Sequence, residues 1–156
     1  MKEVRQPDVA APVATGADSK LLGWSGTGRI LVVDDSEPVR LVLGRSVAKL
    51  GFASDLAQDG AQALSLFASN PGLYALALVD VKLPGQMSGV DVVRELRLLR
   101  PDLPAVLTSG YSLGEVMIAS FARVESVGFL QKPFKLDSLA AALRTALDGQ
   151  LRRDSM

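Results

Sequence analysis

The stretch Arg29-Ile30-Leu31-Val32-Val33-Asp34-Asp35 decides how this chain folds: an unbroken apolar run stops abruptly at two adjacent carboxylates. Such runs belong to strands covered on both faces, as in a parallel sheet, because a solvated face would require a polar residue at every second position. The pattern recurs. Ala75 to Val79 runs into Asp80, and Ala105 to Leu107 runs into Thr108. Two weaker runs complete the set: Phe52 to Ala57, which carries Ser54 and Asp55, and Val127 to Leu130, which contains Gly128 and continues through Gln131 into Lys132-Pro133.

Between these runs the apolar period changes from continuous to helical. Val39, Val42, Leu43, Val47 and Leu50 keep the i, i+3, i+4 spacing of an amphipathic helix, as do Leu136, Leu139, Ala140, Leu143 and Leu147. Shorter helical patterns cover Gly60 to Ser69, Gly89 to Leu99 and Leu113 to Arg123, with Gly51, Asn70-Pro71-Gly72 and Pro101 marking helix ends. Five strands alternating with five helices specify an α/β, doubly wound parallel sheet. Ser54 and Asp55 in run two, and the shortness of run five with its interruption at Gly128, make these the edge strands, which fits the flavodoxin-like order 2-1-3-4-5. Right-handed crossovers then bring the carboxyl ends of all five strands to one rim. Asp34, Asp35, Asp80, Thr108 and Lys132 are therefore expected to meet there.

The chain has 156 residues, of which 48% are hydrophobic, enough for one domain with a core and spare length at its ends. Residues 1–27, rich in Ala, Pro, Gly, Ser and Thr without periodicity, read as a flexible leader or linker. The domain spans residues 28–148, and 149–156 form a C-terminal tail. Gly23, Gly26 and Gly28 precede the first strand, whereas a dinucleotide fingerprint places its glycines after one. Seventeen basic residues balance seventeen acidic ones, so no basic field argues for nucleic acid. No apolar run reaches bilayer length and no signal-peptide pattern opens the chain; the expectation is a cytoplasmic protein that does not bind membranes.

The chain contains neither cysteine nor histidine, which removes thiolate chemistry, imidazole bases and soft metal sites. Any chemistry must run on carboxylates, hydroxyls and lysine. Three carboxylates at one rim repel one another unless a proton or a divalent cation shares the site. Hard oxygen ligands alone point to Mg²⁺. A lysine and a strand-end hydroxyl beside the cation would each bind a phosphoryl oxygen, so the expected chemistry is phosphoryl transfer.

From Arg29 to Leu147 the chain resembles a response-regulator receiver domain. The resemblance rests on Ile-Leu-Val-Val-Asp34-Asp35, Leu-Val-Asp80 followed by Pro84 and Gly89, Leu-Thr108-Ser-Gly, and Phe129-Leu-Gln-Lys132-Pro133-Phe, in that order. It implies that Asp80 is the phosphoacceptor, and that Asp34 and Asp35 hold Mg²⁺ together with Asp80 and the backbone carbonyl of Lys82. It further implies that Thr108 and Lys132 bind the phosphoryl group, that Phe129 turns inward as Thr108 moves, and that the peptide before Pro133 is cis. The implied phosphodonor is a phosphohistidine on a sensor histidine kinase or histidine phosphotransfer protein, and the output is the binding of a downstream protein partner. The resemblance makes the domain a signalling module rather than an enzyme. Pro84 to Gly89 is one residue longer than in the commonest receivers and resembles receivers attached to sensor histidine kinases. Lys82 stands where family members tune phosphoryl lifetime.

Each residue also has a plainer explanation. Asp35 or Ser36 could cap the first helix, with Pro38 just inside it. Asp80 could serve a turn, Thr108 could bond to backbone, and Lys132 could be a solvated charge. A competing function is a Mg²⁺-dependent phosphatase of the haloacid-dehalogenase type, which calls for Asp-x-Asp after the first strand; here the aspartates are adjacent and Ser36 follows. A flavodoxin-like cofactor carrier would need a phosphate-binding loop where Asp34 and Asp35 stand.

Overall fold

Ile30, Leu31 and Val32 are wholly excluded from solvent and Val33 almost so, as a strand with helices on both faces requires. Each such side chain contributes about 1.5–3 kcal/mol through burial, so β1 (Arg29–Val33) is an apolar axis of the domain. The structure is a computed structural model that describes residues 26–110 and 126–155, with side chains through residue 149. After β1 come α1 (Glu37–Lys49), β2 (Ala53–Ala57), α2 (Gly60–Ser69), a short 3-10 turn at Pro71–Leu73 and β3 (Tyr74–Asp80). They are followed by α3 (Gly89–Leu99), β4 (Ala105–Ser109), β5 (Val127–Gln131) and α4 (Leu136–Ser155).

All strand pairs are parallel, in the order β2-β1-β3-β4-β5. The doubly wound sheet expected from the apolar runs is therefore the fold, with β2 and β5 at its edges. Alternate residues of each strand feed opposite layers. Ile30, Val32, Leu76, Leu78 and Val106 pack with Leu43 and Val47 of α1 and with Leu139 and Leu143 of α4. Leu31, Val33, Ala77, Val79 and Leu107 pack with Ala63 and Phe67 of α2 and with Val92, Val93 and Leu96 of α3.

Four helices lie among the described residues; the one expected over Leu113 to Arg123 falls outside them. The helix starts have local causes. Ser36 caps α1 by accepting from the Val39 amide, with Pro38 in the first turn, and Asp59 caps α2 by accepting from the Gln62 amide at 2.8 Å. Ser88 and Asp91 form a reciprocal capping box on α3. Gly51 ends α1 at φ +101°, a conformation that side chains disfavour.

Two boundaries differ from the sequence reading. Gly26, assigned to the leader, donates its amide to Leu50 O at 2.8 Å, so the ordered contact begins before residue 28. At the other end α4 continues to Ser155 through the segment read as a tail. Nothing in 149–155 stops a helix, since Gly149 only weakens one and Gln, Leu and Arg favour it.

The polar residue that marked β2 as an edge has partners. Asp55 accepts from Arg29 Nη1 and from the Tyr74 phenol, both at 2.7 Å, tying β2, β1 and β3 together at the end of the sheet where their pairing begins. The Tyr74 ring stacks on Phe67 with centroids 5.6 Å apart. Burial, then the bond to the Asp55 carboxylate, pushes the Tyr74 phenol up to about 12, with Arg29 opposing. A raised pKa in the folded state means that this contribution to stability is complete below the unfolded phenol's value near 10 and is lost as pH rises towards 12. In a Tyr111→Phe background, tyrosinate absorbance should therefore titrate near 12, and Asp55→Asn should bring the midpoint part of the way down. A midpoint near 10 in the unsubstituted network would show that the Asp55 bond is not made in solution.

Candidate functional site

The carboxyl ends of β1, β3, β4 and β5 converge as the topology requires. Asp34 and Asp35 follow β1, and Lys132 follows β5; Asp80 closes β3 and is the register partner of Thr108, the penultimate residue of β4. Backbone bonds join the strand ends: Asp34 N–H donates to Ala57 O at 3.0 Å, Val81 N–H to Thr108 O at 2.9 Å, and Lys132 N–H to Ser109 O at 2.7 Å. The Lys132-Pro133 peptide is cis.

Asp34 is 1% exposed, and a carboxylate so buried needs compensation. Its Oδ2 accepts from Lys132 Nζ at 2.7 Å and its Oδ1 from the Ser36 amide at 2.9 Å. The same Lys132 Nζ donates to Asp80 Oδ2 at 3.2 Å, while Asp80 Oδ1 accepts from the Lys82 amide at 3.2 Å. One ammonium thus bridges two buried carboxylates. Asp35 is exposed and lines an open cleft of about 630 Å³ with Asp80, Lys82, Leu83, Pro84, Ser109, Gly110 and Lys132.

Burial, and after it the Asp34 charge, outweighs the pull of Lys132 and holds the Asp80 carboxyl above the usual carboxylate range. Burial draws the Lys132 ammonium down, but its bonds and charge pairing with Asp34 and Asp80 outweigh this and leave it above the ordinary lysine value. One carboxylate oxygen from each of Asp34, Asp35 and Asp80 lies within 4.8 Å of the others. This trio, hard oxygen donors with no nitrogen or sulfur among them, fits a small divalent cation such as Mg²⁺.

Thr108 is 1% exposed, and its Oγ1 is the one buried side-chain polar atom without a partner among the described residues. The strand-end hydroxyl is thus not tied to backbone. Phe129 is half-buried on β5 and packs on the core layer shared with α2 and α3.

The plainer roles hold for some residues and not for others. Ser36 caps α1, which leaves Asp35 free of that duty. Asp80 does bond to a turn amide, yet it also faces Lys132. Lys132 is not a solvated surface charge.

Two residues escaped the sequence reading. Arg40, in the first turns of α1, donates from Nη1 to Asp34 O at 2.8 Å. Its signal was a cation near a helix N-terminus, where the macrodipole disfavours one. Gly89 appeared only as part of a motif. A Cβ there would lie 2.0 Å from Asp80 O and 2.7 Å from Asp80 C, so the start of α3 rests directly on the Asp80 peptide.

With this geometry established, the comparisons fix the family. Residues 30–144 match the response regulator receiver domain, and the chain belongs to that family. Response regulator MprA of Mycobacterium sp. (strain KMS) is 42% identical over 121 residues, covering 76% of this chain and 50% of that protein. Sensor kinase CckA of Brucella abortus (strain 2308) is 29% identical over 150 residues, 96% of this chain and 16% of the kinase. Among solved structures, NtrX from Brucella abortus superposes with a TM-score of 0.74 at 28% identity, over 83% of this chain and 29% of NtrX. The signal receiver domain of an HD domain-containing protein from Pseudomonas fluorescens Pf-5 gives 0.72 at 27% identity, over 82% and 92%. The chain spans about half the length of the MprA regulators it matches.

The contact of Gly89 with the Asp80 peptide can be tested directly. Gly89→Ala should cost about 1–3 kcal/mol in urea unfolding, because the obstacle is backbone and cannot rotate away. Gly72→Ala, whose Cβ meets only Asn70 Oδ1 at 3.9 Å, should stay within about 0.5 kcal/mol of the parent. Equal midpoints for the two variants would refute the close approach.

Proposed function

We propose that this receiver accepts a phosphoryl group on Asp80 from a phosphohistidine of a sensor histidine kinase or histidine phosphotransfer protein, and that the modified domain switches a protein-binding surface. The observation that carries this reading is Lys132, lining the cleft and bonded to both Asp34 and Asp80, with Thr108, whose buried hydroxyl has no partner among the described residues, in register with Asp80. Asp80 serves as nucleophile: one carboxylate oxygen forms the new bond to phosphorus while the phosphorus–nitrogen bond breaks and its electron pair returns to the donor imidazole. No general base is required, which suits a chain without histidine.

Asp34, Asp35 and Asp80, with the Lys82 carbonyl, would hold Mg²⁺. When bound, the cation supplies charge neutralisation to the carboxylates and the phosphoryl oxygens. Lys132 stabilises one equatorial phosphoryl oxygen, exchanging part of its carboxylate pairing for phosphate. Thr108 gives its free hydroxyl to another oxygen. As Thr108 shifts, Phe129 on the neighbouring strand gains room to turn inward, which carries the change to the surface.

Zero net charge over the whole chain supports a protein partner rather than a nucleic acid, and the histidine-kinase phosphodonor supports a cytoplasmic site of action. Among the described residues no helix is long and apolar enough to cross a membrane. The MprA relatives support a regulator setting, and the alignment with a sensor kinase over 96% of the chain supports a hybrid-kinase setting. The acceptor chemistry is the same in both.

With acetyl phosphate and Mg²⁺, the protein should gain the mass of one phosphoryl group, and Asp80→Asn should gain none; labelling that survives this substitution would assign the acceptor elsewhere. Lys82 lines the cleft two residues beyond Asp80, where its cation can contact the phosphoryl group or shield it from water. Lys82→Ala should therefore change the half-life of the aspartyl phosphate, read from its decay after donor removal. Identical half-lives would remove Lys82 from the site's chemistry.

A further inference from the structure

We infer that Arg40 is a positioning residue for the carboxylate trio: its guanidinium fixes the peptide between Asp34 and Asp35 and thereby sets where Asp35 meets a divalent cation. This rests on the cation reading of the cleft.

The two neighbouring aspartates are held unequally. Asp34 is clamped from several sides, by Lys132 Nζ, by the Ser36 amide and through its own N–H to Ala57 O. Asp35 is exposed, and its position follows from the backbone that carries it. The carbonyl of Asp34 and the amide of Asp35 belong to one rigid plane, so a donor that fixes the carbonyl oxygen fixes the direction from which the Asp35 side chain leaves. Arg40 Nη1 is that donor, at 2.8 Å.

Helix formation does not explain an arginine here. Arg40 N–H makes the opening bond of α1, to Ser36 O at 2.9 Å, which places its cation near the positive end of the helix dipole. The side chain is half-buried and turns back toward the strand end. Groups that orient metal-binding residues from behind typically change metal affinity ten- to hundredfold when removed.

Charge and positioning predict opposite signs, which makes the inference testable. Arg40 is a cation close to a site for another cation, so removing its charge alone should tighten Mg²⁺ binding. Removing the orienting bond should weaken it. Mg²⁺ is titrated by isothermal calorimetry into the full chain and into Arg40→Met and Arg40→Lys, with folding of each checked by circular dichroism. The expected result is a loss of about tenfold or more in affinity for Arg40→Met and a smaller loss for Arg40→Lys, which keeps a donor. If Arg40→Met does not fold, Arg40→Leu, which likewise has no donor, compared with Arg40→Lys carries the same test. Unchanged or tighter binding in the folded neutral variant would overturn the role of Arg40. Failure of the parent protein itself to bind Mg²⁺ would instead overturn the cation reading of the cleft, and this inference with it.

Discussion

The rim of the domain depends on one ammonium. Lys132 Nζ reaches Asp34 Oδ2 at 2.7 Å and Asp80 Oδ2 at 3.2 Å, across 98 and 52 residues of sequence. Those bonds join the ends of β1, β3 and β5, strands that are not all neighbours in the sheet. The sheet can bury its apolar runs by backbone pairing and side-chain packing alone. Two almost fully buried carboxylates at its edge need a cation, and Lys132 supplies it.

That cation does not settle the charge of the site. Asp80 remains above the usual carboxylate range, through burial first and Asp34 second, so at neutral pH its ionised form opposes folding. The stability attached to its raised pKa is present below the unfolded carboxyl's value and disappears as pH rises through the folded one. For Lys132 the sign gives the reverse result at neutral pH. Its raised pKa supplies stability that persists until the pH passes the ordinary lysine value and is lost only as it climbs through the folded one. The pocket combines a group that gains by being charged with one that loses by it, as sites that await a ligand commonly do.

The apolar axis was legible in the sequence because continuous runs such as Ile30 to Val33 have few explanations other than two-sided burial. The carboxyl-edge residues were legible for the same reason, since the end of each run marks a place on the rim. What escaped was set by side chains acting at a distance. Asp55 looked like a sign of an exposed edge, yet Arg29 and Tyr74 bind it from two other strands, and neither link has a local signature. Arg40 had the spacing of a helix residue, and only its reach to Asp34 O separates it from a solvated charge. The extension of α4 was missed because the reading followed the apolar stripe, whereas helix propensity continues where the stripe stops.

Geometry also separates the three aspartates, although the sequence presents them alike. Asp34 is buried and saturated by Lys132 and the Ser36 amide, so it is a fixed wall of negative charge. Asp35 is exposed and free to meet a cation from the solvent side. Asp80 lies between these extremes, with one oxygen on Lys132, the other on a backbone amide, and its main chain pressed against Gly89. Asp80 is thus fixed at both carboxylate oxygens and through its main chain. Beside it in the β3–β4 register, Thr108 Oγ1 is buried and has no partner among the described residues, so an oxygen-bearing ligand that reached it would satisfy a hydrogen bond now unmade.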